Sequence, residues 1–463
     1  MQVSGSNANK TSSATFNESS VNQIKLHNIA DIPTVIDFDG GMLSSDAGIL
    51  LLAEVEKEVG IIKAIAEVIP DHRNQSYVDH SVSDLLLQRV LQISSGYEDA
   101  NDCNPMRYDP IFKIIAERLP LDGSPLASQP TMSRFENSIS RSTLYRIAEI
   151  LLDNFISSYD KPPRLIVFDF DDTDDTTYGG QQLCMFNNYY KDYCFMPLHV
   201  YEGLSGKLIA TILKPGKRSD GQQMLSILER IVSRVRDCWP ETILIFRGDS
   251  HFAYPEVMNW IEARQDMFHV TGLSGNSRLN KEVQAHIERA TQIYRMWGRK
   301  TTLFHSFYYQ ADSWTIPRRV VAKIEVGEQG RNIRFVVTNM EEANATVLYR
   351  NIYCARGQDE LYIKEHKLYL KSDRTSCHRF QANQFRLFLH SAAYVLLHAL
   401  RANLLKGTEL ANASFHTIRI KLFKVAALVR QFKTRIKVQL PSCYPLKDIF
   451  IKASEILRIL RTT

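Results

Sequence analysis

Apolar residues recur every three or four positions through the first third of the chain, behind a polar leader. Residues 1 to about 30 are rich in Ser, Asn and Thr, a composition that predicts disorder. From residue 31 to residue 160 the apolar spacing predicts helices over 48–59, 81–93, 131–139 and 142–156. Ser44, Ser45 and Asp46 would cap the first of these helices. The pattern predicts an all-α N-terminal domain, either a plain bundle or a DNA-binding unit of the helix-turn-helix type.

The pattern changes after Pro162 and Pro163, where short apolar runs alternate with longer amphipathic ones. The runs predict strands over 165–171, 195–201, 208–213, 242–246 and 267–271, and helices over 219–238 and 254–264. The order β-β-β-α-β-α-β, with its first three strands as a meander, resembles a ribonuclease-H-like core. We therefore predict an α/β catalytic core, whose first part covers 161–272.

The last 190 or so residues contain three further regions. Alternation and turns over 273–345 predict a β-rich insertion, and 346–405 returns to helix as the last part of the core. A basic C-terminal region, 406–463, is predicted to be helical; its cations are Arg419, Lys421, Lys424, Arg430, Lys433, Arg435 and Lys437. The whole chain is then α+β, with the core interrupted by the insertion.

Composition narrows the class of protein only slightly. A chain of 463 residues can hold two or three domains, and 44% hydrophobic with 23% charged residues is ordinary for a globular protein. A net charge of +5 permits nucleic-acid binding without requiring it. Seven cysteines without a C-x-x-C pair indicate reduced thiols and argue against a disulfide framework or a thiolate zinc site. With no signal peptide and no membrane span in view, we expect a cytoplasmic, nucleoid-associated protein.

The stretch from Tyr353 to Lys367 carries the most unusual polar pattern. In an α-helix, Tyr353, Arg356, Glu360 and Lys367 would stand at about 0°, −60°, −20° and −40°, within one narrow arc. A carboxylate there could hold a metal ion, and the cations and phenol could hold phosphates. Taken alone, the stretch could equally be a solvated helix face with internal ion pairs.

Two more acids stand at predicted strand ends. Asp171 ends the first strand and Asp249 follows the fourth, and these strands are neighbours in a ribonuclease-H-like sheet. With Glu360 they would make three carboxylates, enough to hold two Mg²⁺ (or Mn²⁺) ions about 4 Å apart. The phosphodiester backbone of DNA is the natural substrate for such a site, since metals and cations neutralise its developing charge.

These residues resemble the DDE transposases of bacterial insertion sequences, in the group with the signature Y-x₂-R-x₃-E-x₆-K. The signature is complete here, Asp171-Asp172-Thr173 is similar to the D-x-T motif of the first acid, and Arg247-Gly248-Asp249-Ser250 is similar to the second. The resemblance covers roughly residues 160 to 405. It implies cut-and-paste transposition of double-stranded DNA at terminal inverted repeats by a homodimer, through hydrolytic nicking, 3′-end transfer and often a hairpin intermediate. It also implies that Tyr353, Arg356 and Lys367 grip DNA phosphates and that Glu360 binds metal.

Further candidates stand beside this set. Asp169 lies on the same strand face as Asp171 and is an alternative metal ligand, although the D-x-T match favours Asp171. Trp297 lies among cations in the insertion and would stack on a flipped base, as an aromatic there does in relatives, or serve as a core or turn residue. Other candidate DNA contacts are Arg318, Arg319, Lys433, Arg435 and Lys437.

Two other functions remain open from the sequence. The run Asp169-Phe170-Asp171-Asp172-Thr173 matches D-x-D-x-T, the first motif of haloacid-dehalogenase-like phosphatases, in which the first Asp is the nucleophile. No second acid pair follows Asp249 at the spacing such enzymes need, and the three-strand meander does not suit them. The other alternative is a transposon-derived DNA-binding protein without catalysis, although all three acids are present.

Overall fold

The protein is a mixed α+β chain built around one large mixed sheet. The structure, a computed structural model, describes residues 23–460, so residues 1–22 of the predicted leader lie outside the described residues. Within the described part, no helix is both long and apolar enough to cross a membrane. All seven cysteines lie in the described part and carry free thiols in this structure.

The large sheet has eight strands. In chain order they are β1 (Leu165–Asp172), β2 (Leu198–Glu202), β3 (Leu208–Ile212), β4 (Ile243–Gly248), β5 (Met267–Leu273), β6 (Thr301–Tyr309), β7 (Arg318–Gly327) and β8 (Gly330–Thr338). Across the sheet the order is β6-β7-β8-β5-β4-β1-β2-β3, with β4 parallel to both β1 and β5 and the other pairs antiparallel. The predicted meander and the predicted adjacency of the first and fourth strands are both present.

Alternate side chains of β1 pack in two different layers of the protein. Phe168 and Phe170 pack in a core with the helix Gly221–Cys238. Val167, on the opposite face, packs against the segment that includes Leu348. Because side chains alternate along a strand, Asp169 and Asp171 lie on the Val167 side, where the segment 345–369 crosses the sheet.

The N-terminal helices share one hydrophobic core with a late helix, Phe380–Ala399. The longer ones are Ile49–Val59, Ile61–Val68, Val82–Ser95, Gln129–Ser138 and Arg141–Ser157, and the shorter ones are Cys103–Met106 and Pro110–Ile115. All four predicted helices of this region are present, within a few residues of their predicted ends.

The predicted cap of the first helix is wrong. The residue before Ile49 is Gly48, and no side chain caps the helix. Asp46 is instead fully buried, where it accepts hydrogen bonds from Lys424 Nζ at 2.6 Å and from the Tyr97 hydroxyl at 2.8 Å. A buried carboxylate needs such partners. One of them, Lys424, lies more than 300 positions away in the sequence.

The insertion extends the large sheet rather than forming a separate layer. Strands β6–β8 continue the sheet because β8 pairs with β5. Two helices that the sequence reading missed, Ser277–Glu282 and Gln284–Trp297, precede them. The buried Ile287 and Ala290 pack the second helix on the insertion strands. Their spacing of three residues is typical of a helix and could have predicted it.

The prediction of a wholly helical C-terminal region is wrong, because the region contains a β-hairpin. Helices Phe415–Ile418 and Lys447–Leu460 flank a hairpin of strands Ala427–Gln431 and Ile436–Gln439. The first hairpin strand also pairs with Leu43–Ser44. Its burial alternates, which gives it a strand rather than a helix periodicity.

A second small sheet lies just after the first acid. Its three strands, Asp175–Thr176, Asp192–Phe195 and Met185–Asn187, are antiparallel and stand in that order. One side is anchored by Phe195, which is buried with Leu213 and Leu387.

Candidate active site

Asp171 and Asp249 stand at adjoining ends of two parallel strands. In the register of β1 with β4, Asp169 pairs with Arg247 and Phe170 with Gly248, so Asp171 and Asp249 are the next residues along. Asp249 also accepts a hydrogen bond from the backbone N–H of His251 at 2.7 Å. The charge of Asp249 raises the pKa of Asp171, as expected for neighbouring carboxylates.

Asp169 is fully engaged in a buried ion pair. Arg247 donates hydrogen bonds to both carboxylate oxygens of Asp169 at 2.5 Å, and neither residue is exposed. Arg247 donates a third hydrogen bond to the backbone carbonyl of Ile352, which ties the pair to the segment that crosses the sheet. Asp169 is therefore a positioning residue here, and we no longer propose it as a metal ligand or as a phosphatase nucleophile.

The segment that carries the four-residue signature is not a uniform α-helix. Its parts are π-turns at Leu348–Tyr353 and Glu365–Tyr369, a 3₁₀ stretch at Cys354–Gln358, and an α-helical turn at Asp359–Lys364. A 3₁₀ stretch advances about 120° per residue and an α-helix about 100°. Over five residues the excess is about 100°, which equals one residue step of an α-helix.

Because of this excess rotation, Asp359 lies on the side of the segment where Glu360 would lie in a continuous α-helix. Asp359 is fully buried, and neither of its carboxylate oxygens has a hydrogen-bond partner among the described residues. Glu360 is exposed and forms no hydrogen bond or ion pair within residues 23–460. The structure therefore brings Asp171 and Asp249 together but not Glu360, and the predicted single arc does not hold because it assumed α-helical winding throughout.

The other three signature residues are in place along the acids. Arg356 contacts Asp171, with 3.0 Å between a guanidinium nitrogen and a carboxylate oxygen. Lys367 Nζ donates hydrogen bonds to Thr173 Oγ1 at 3.2 Å and to Asp174 just after the first acid. Burial raises the pKa of Tyr353, opposed by Arg356 and assisted by the charge of Asp249, which places this phenol at the second acid.

Burial sets the electrostatics of the site. It raises the pKa of Asp171 to about 7, against the opposing effect of the Arg356 guanidinium. It also raises the pKa of Asp359 well above its ordinary value, with the charges of Asp169 and Asp171 adding to the effect. Asp172 is bound by Lys214, whose Nζ lies 2.7 Å from a carboxylate oxygen. The site thus concentrates more carboxylates than cations.

The carboxylate oxygens of the site are of the type that divalent ions bind, but the three predicted ligands do not lie together. Among residues 23–460, no three side chains of His, Cys, Asp or Glu are grouped so that they could hold a metal ion. Asp171 and Asp249 supply two carboxylates, and oxygen donors of this kind are what Mg²⁺ and Mn²⁺ prefer. Asp359 is a further carboxylate near these acids: it has no hydrogen-bond partner among the described residues, and burial raises its pKa, with the charges of Asp169 and Asp171 adding to the effect.

Two of the predicted DNA contacts are structural residues. Arg318 is buried and donates hydrogen bonds to Glu262 at 2.7 and 2.9 Å and to Asn259 at 2.6 Å. Arg319 is buried too, and its guanidinium donates to Ser306 Oγ and to three backbone carbonyls after β8. Because both guanidinium groups are buried and bound inside the protein, neither arginine is placed to contact DNA.

The remaining candidates are accessible. Trp297, at the end of the helix Gln284–Trp297, is 71% exposed, which excludes the alternative of a core residue. Lys433, Arg435 and Lys437 are exposed on the C-terminal hairpin. Lys437 lies directly opposite the exposed Arg430, and like charges in such a pair repel unless an anion lies between them.

The sequence reading missed Asp359 and Lys214 as members of the site. Asp359 is the residue before Glu360, and it was missed because the prediction assumed α-helical winding of the whole segment. Lys214 follows β3, and only the pairing of β2 with β1 and β3 brings it to Asp172. No short-range sequence pattern links these two positions.

Comparison with known proteins identifies the family. The chain is similar to the family model described as transposase DDE domain, group 1, over residues 27–462. No curated protein matches the sequence. Among solved structures, the chain is similar to the cryo-EM structure of the piggyBac transposase synaptic complex with hairpin DNA, at 11% identity and a TM-score of 0.42, over 91% of this chain and 82% of that chain. Because the family model matches nearly the whole sequence, the chain belongs to the family of transposases with a DDE domain of group 1.

Proposed function

We propose that the protein is a cut-and-paste transposase that cleaves DNA at terminal inverted repeats and joins the resulting 3′ ends to target DNA. In this proposal, residues 161–272 and 346–405 form a ribonuclease-H-like catalytic core, which residues 273–345 interrupt. Residues 31–160 form a DNA-binding domain, and residues 406–463 add a basic surface. The element would be a bacterial insertion sequence, and a homodimer would hold its two ends together.

One observation carries the proposal. Asp171 and Asp249 lie at adjoining ends of parallel strands, and the segment with Tyr353, Arg356 and Lys367 crosses the sheet directly at these acids. A structural ion network would not require acids at two strand ends together with a phenol and two cations from one segment. A site for a DNA phosphate requires this combination, with carboxylates for divalent ions and donors for phosphate oxygens.

The chemistry consists of two phosphoryl transfers. In the first, a water oxygen bonds to phosphorus, the bond from phosphorus to the 3′ oxygen breaks, and that oxygen leaves as a hydroxyl with a proton from the water. In the second, this 3′-hydroxyl attacks a target phosphorus and loses its proton, the bond from that phosphorus to the target strand's 3′ oxygen breaks, and that oxygen takes up a proton and leaves as a hydroxyl. Two divalent ions, held by Asp171, Asp249 and Glu360, would activate the attacking oxygen and stabilise the leaving one.

The protein's own cations would position the strand. Arg356 can exchange its carboxylate partner, Asp171, for a phosphate, which presents the same planar pair of oxygens. This exchange also frees the Asp171 carboxylate when DNA is bound. Lys367 can likewise transfer its donors from the Thr173 loop to the backbone of the same strand. Correct placement of the reacting strand accounts for much of the catalysis in such sites.

Glu360 would become the third metal ligand after a local rewinding. If Cys354–Gln358 takes up α-helical winding, the following turn rotates back by about 100° and Glu360 replaces Asp359 beside Asp171. Gly357 favours such a change, because a glycine restricts the backbone less than any other residue. The π-turn at Glu365–Tyr369 would absorb the rotation, so Lys367 keeps its place.

Excision from a donor plasmid tests the proposal. A resistance cassette is placed between the DNA segments that adjoin the coding sequence on either side, and the protein is supplied from a second plasmid. We expect loss of the cassette with the wild-type protein and none with Asp249→Asn. Asp312→Asn, which alters an exposed carboxylate in the insertion, serves as the control and should excise normally. A wild-type protein that binds these ends without ever cutting them would contradict the proposal.

A further inference from the structure

An aromatic surface stands on the small sheet that follows the first acid. Its side chains are exposed although they are large and apolar. They are Tyr178 at 85%, Phe186 at 51%, Tyr189 at 80%, Tyr190 at 36% and Tyr193 at 57% exposure. We call these five residues the aromatic face. A cluster of exposed aromatic side chains on one short stretch of the surface is a candidate binding site.

The aromatic face is built by the register of the sheet. Phe186 and Tyr193 are cross-strand partners on the outer side, with ring centroids 5.4 Å apart. Tyr189 and Tyr190 form a second edge-to-face pair at 4.9 Å in the turn between these strands. The next residue, Cys194, points to the other side of the sheet and is fully buried, so that side is packed on the protein at this position.

The small sheet is fixed to the body of the protein rather than loose. Gln181 Nε2 donates to the carbonyl of Thr375 at 2.7 Å, and Gln182 N donates to the carbonyl of His378 at 2.9 Å. Asn187 Nδ2 donates to the carbonyl of Gly216 at 3.1 Å. A rigid platform loses little conformational entropy when it binds a ligand.

The position of the aromatic face points to its ligand. The small sheet begins four residues after Asp171, and Lys367 is hydrogen-bonded to the connecting loop. The charges of Asp174, Asp171 and Asp172 contribute to raising the pKa of Tyr190 to about 12, behind the larger effect of burial, which places this ring beside the acids. The aromatic face is therefore within reach of a strand that leaves the proposed cleavage site on this side.

Two exposed cations lie on the segments that form or contact the small sheet. Lys191 is exposed in the turn of the small sheet, and Lys217 is exposed on the loop whose Gly216 contacts that sheet. Proteins bind single strands by combining cations for the phosphates with aromatic rings on which bases stack. Four of the five rings are tyrosines, whose hydroxyls can also bond to base edges.

We propose that the aromatic face binds unpaired bases of the DNA strand next to the cleavage site, by stacking them on Tyr178, Tyr189 and Tyr193. This inference rests on the proposed function, because it takes the acids as the place where the strand is cut. The ligand class is single-stranded or locally unpaired DNA. A protein partner, including a second copy of this chain, is the rival occupant, and the test below separates the two.

The test compares two single-stranded oligonucleotides of equal length, one with mixed bases and one with abasic sugars throughout. Both carry the same phosphates, so their difference in affinity reports contacts to the bases. We expect the wild-type protein to bind the base-bearing strand about tenfold more tightly or better, since stacking contributes about 1–3 kcal/mol per base. The triple variant Tyr178→Ala, Tyr189→Ala, Tyr193→Ala should lose this preference and bind the abasic strand as the wild type does, which also shows that it is folded.

Two control proteins sharpen the measurement. Tyr308→Ala removes a comparably exposed tyrosine in the insertion and should keep the wild-type preference. Replacing Tyr178, Tyr189 and Tyr193 by Leu keeps apolar area but removes the rings, and should abolish the preference as the alanines do. Equal binding of both strands by the wild type would overturn the proposal, as would an unchanged preference in the triple variant.

Two further outcomes separate this inference from its rivals. If the triple variant changes the sedimentation of the protein but not its preference for bases, the aromatic face is a protein interface and the proposal is overturned. Failure of the proposed function gives a different result: a wild-type protein with the base preference that never excises DNA would leave the aromatic face standing. Conversely, if the wild type excises DNA normally but shows no preference for bases, only the proposal for the aromatic face is overturned.

Discussion

A guanidinium nitrogen of Arg356 lies 3.0 Å from a carboxylate oxygen of Asp171, and both side chains are 15% exposed. The signature cation thus holds the acid that we propose as a metal ligand. Metal and arginine then compete for one carboxylate until a DNA phosphate takes the arginine away. The relation couples DNA binding to metal binding, and it leads to a prediction in which affinity and activity move in opposite directions.

Arg356→Ala should bind Mn²⁺ more tightly than the wild type in the absence of DNA, by roughly fivefold if the ion pair contributes about 1 kcal/mol. The same variant should be strongly impaired in strand transfer, because the phosphate loses its donor. Calorimetric titration with Mn²⁺ and a strand-transfer assay on a pre-cleaved end measure the two effects. Asp249→Asn is the control and should weaken Mn²⁺ binding. Weaker Mn²⁺ binding by Arg356→Ala would show that the arginine does not compete with the metal.

The neighbouring acids of the signature segment should differ in their requirement for cleavage. Glu360→Gln should abolish cleavage without changing the melting temperature, since Glu360 is exposed and has no partner within residues 23–460. Asp359→Asn should retain cleavage and melt at or above the wild-type temperature, because it removes a buried carboxylate that lacks a partner. Thermal melting and a nicking assay report both. The reverse pattern, with Asp359→Asn inactive and Glu360→Gln active, would assign the third ligand to Asp359.

The C-terminal hairpin should contribute phosphate contacts. Each contact adds about 0.9 to the slope of log K against log salt. Replacing Lys433, Arg435 and Lys437 by Gln should therefore flatten the slope for duplex DNA by about one to three units. A charge-matched control, with Lys161, Lys281 and Arg289 changed to Gln, should leave it unchanged. If both triple variants flatten the slope equally, only net charge matters and the hairpin is not a contact surface.

Glu56 should make stability depend on pH. Burial raises the pKa of Glu56 from 4.5 to about 7, so the folded state holds a proton that the unfolded state releases. This contribution, about 3 kcal/mol, is fully present below about pH 4.5 and is lost as the pH rises through 7. Glu56→Gln should flatten stability between pH 5 and 8, as followed by urea unfolding. Glu67→Gln, at an exposed position of the next helix, should keep the wild-type dependence, and a wild type without this dependence would contradict the prediction.

The sequence predicts the parts of the site that depend on strand order but not those that depend on local winding. Asp171 and Asp249 could be placed together because strand ends of neighbouring parallel strands coincide. Glu360 could not, since no residue pattern distinguishes a 3₁₀ stretch from an α-helix over Cys354–Gln358. The burial of Arg318 could not be predicted from the sequence either, because its partner Glu262 lies 56 positions away.

The most direct test of the account is strand cleavage by the purified protein on a labelled duplex made from the DNA that adjoins the coding sequence, with Mg²⁺ added. The account predicts a nick with a free 3′-hydroxyl at the element end for the wild type and for Asp312→Asn. It predicts no nick above the protein-free background for Asp171→Asn or Asp249→Asn, although both bind the duplex with wild-type affinity. Cleavage by either variant at a level near that of the wild type would contradict the claim that these two carboxylates form the catalytic site.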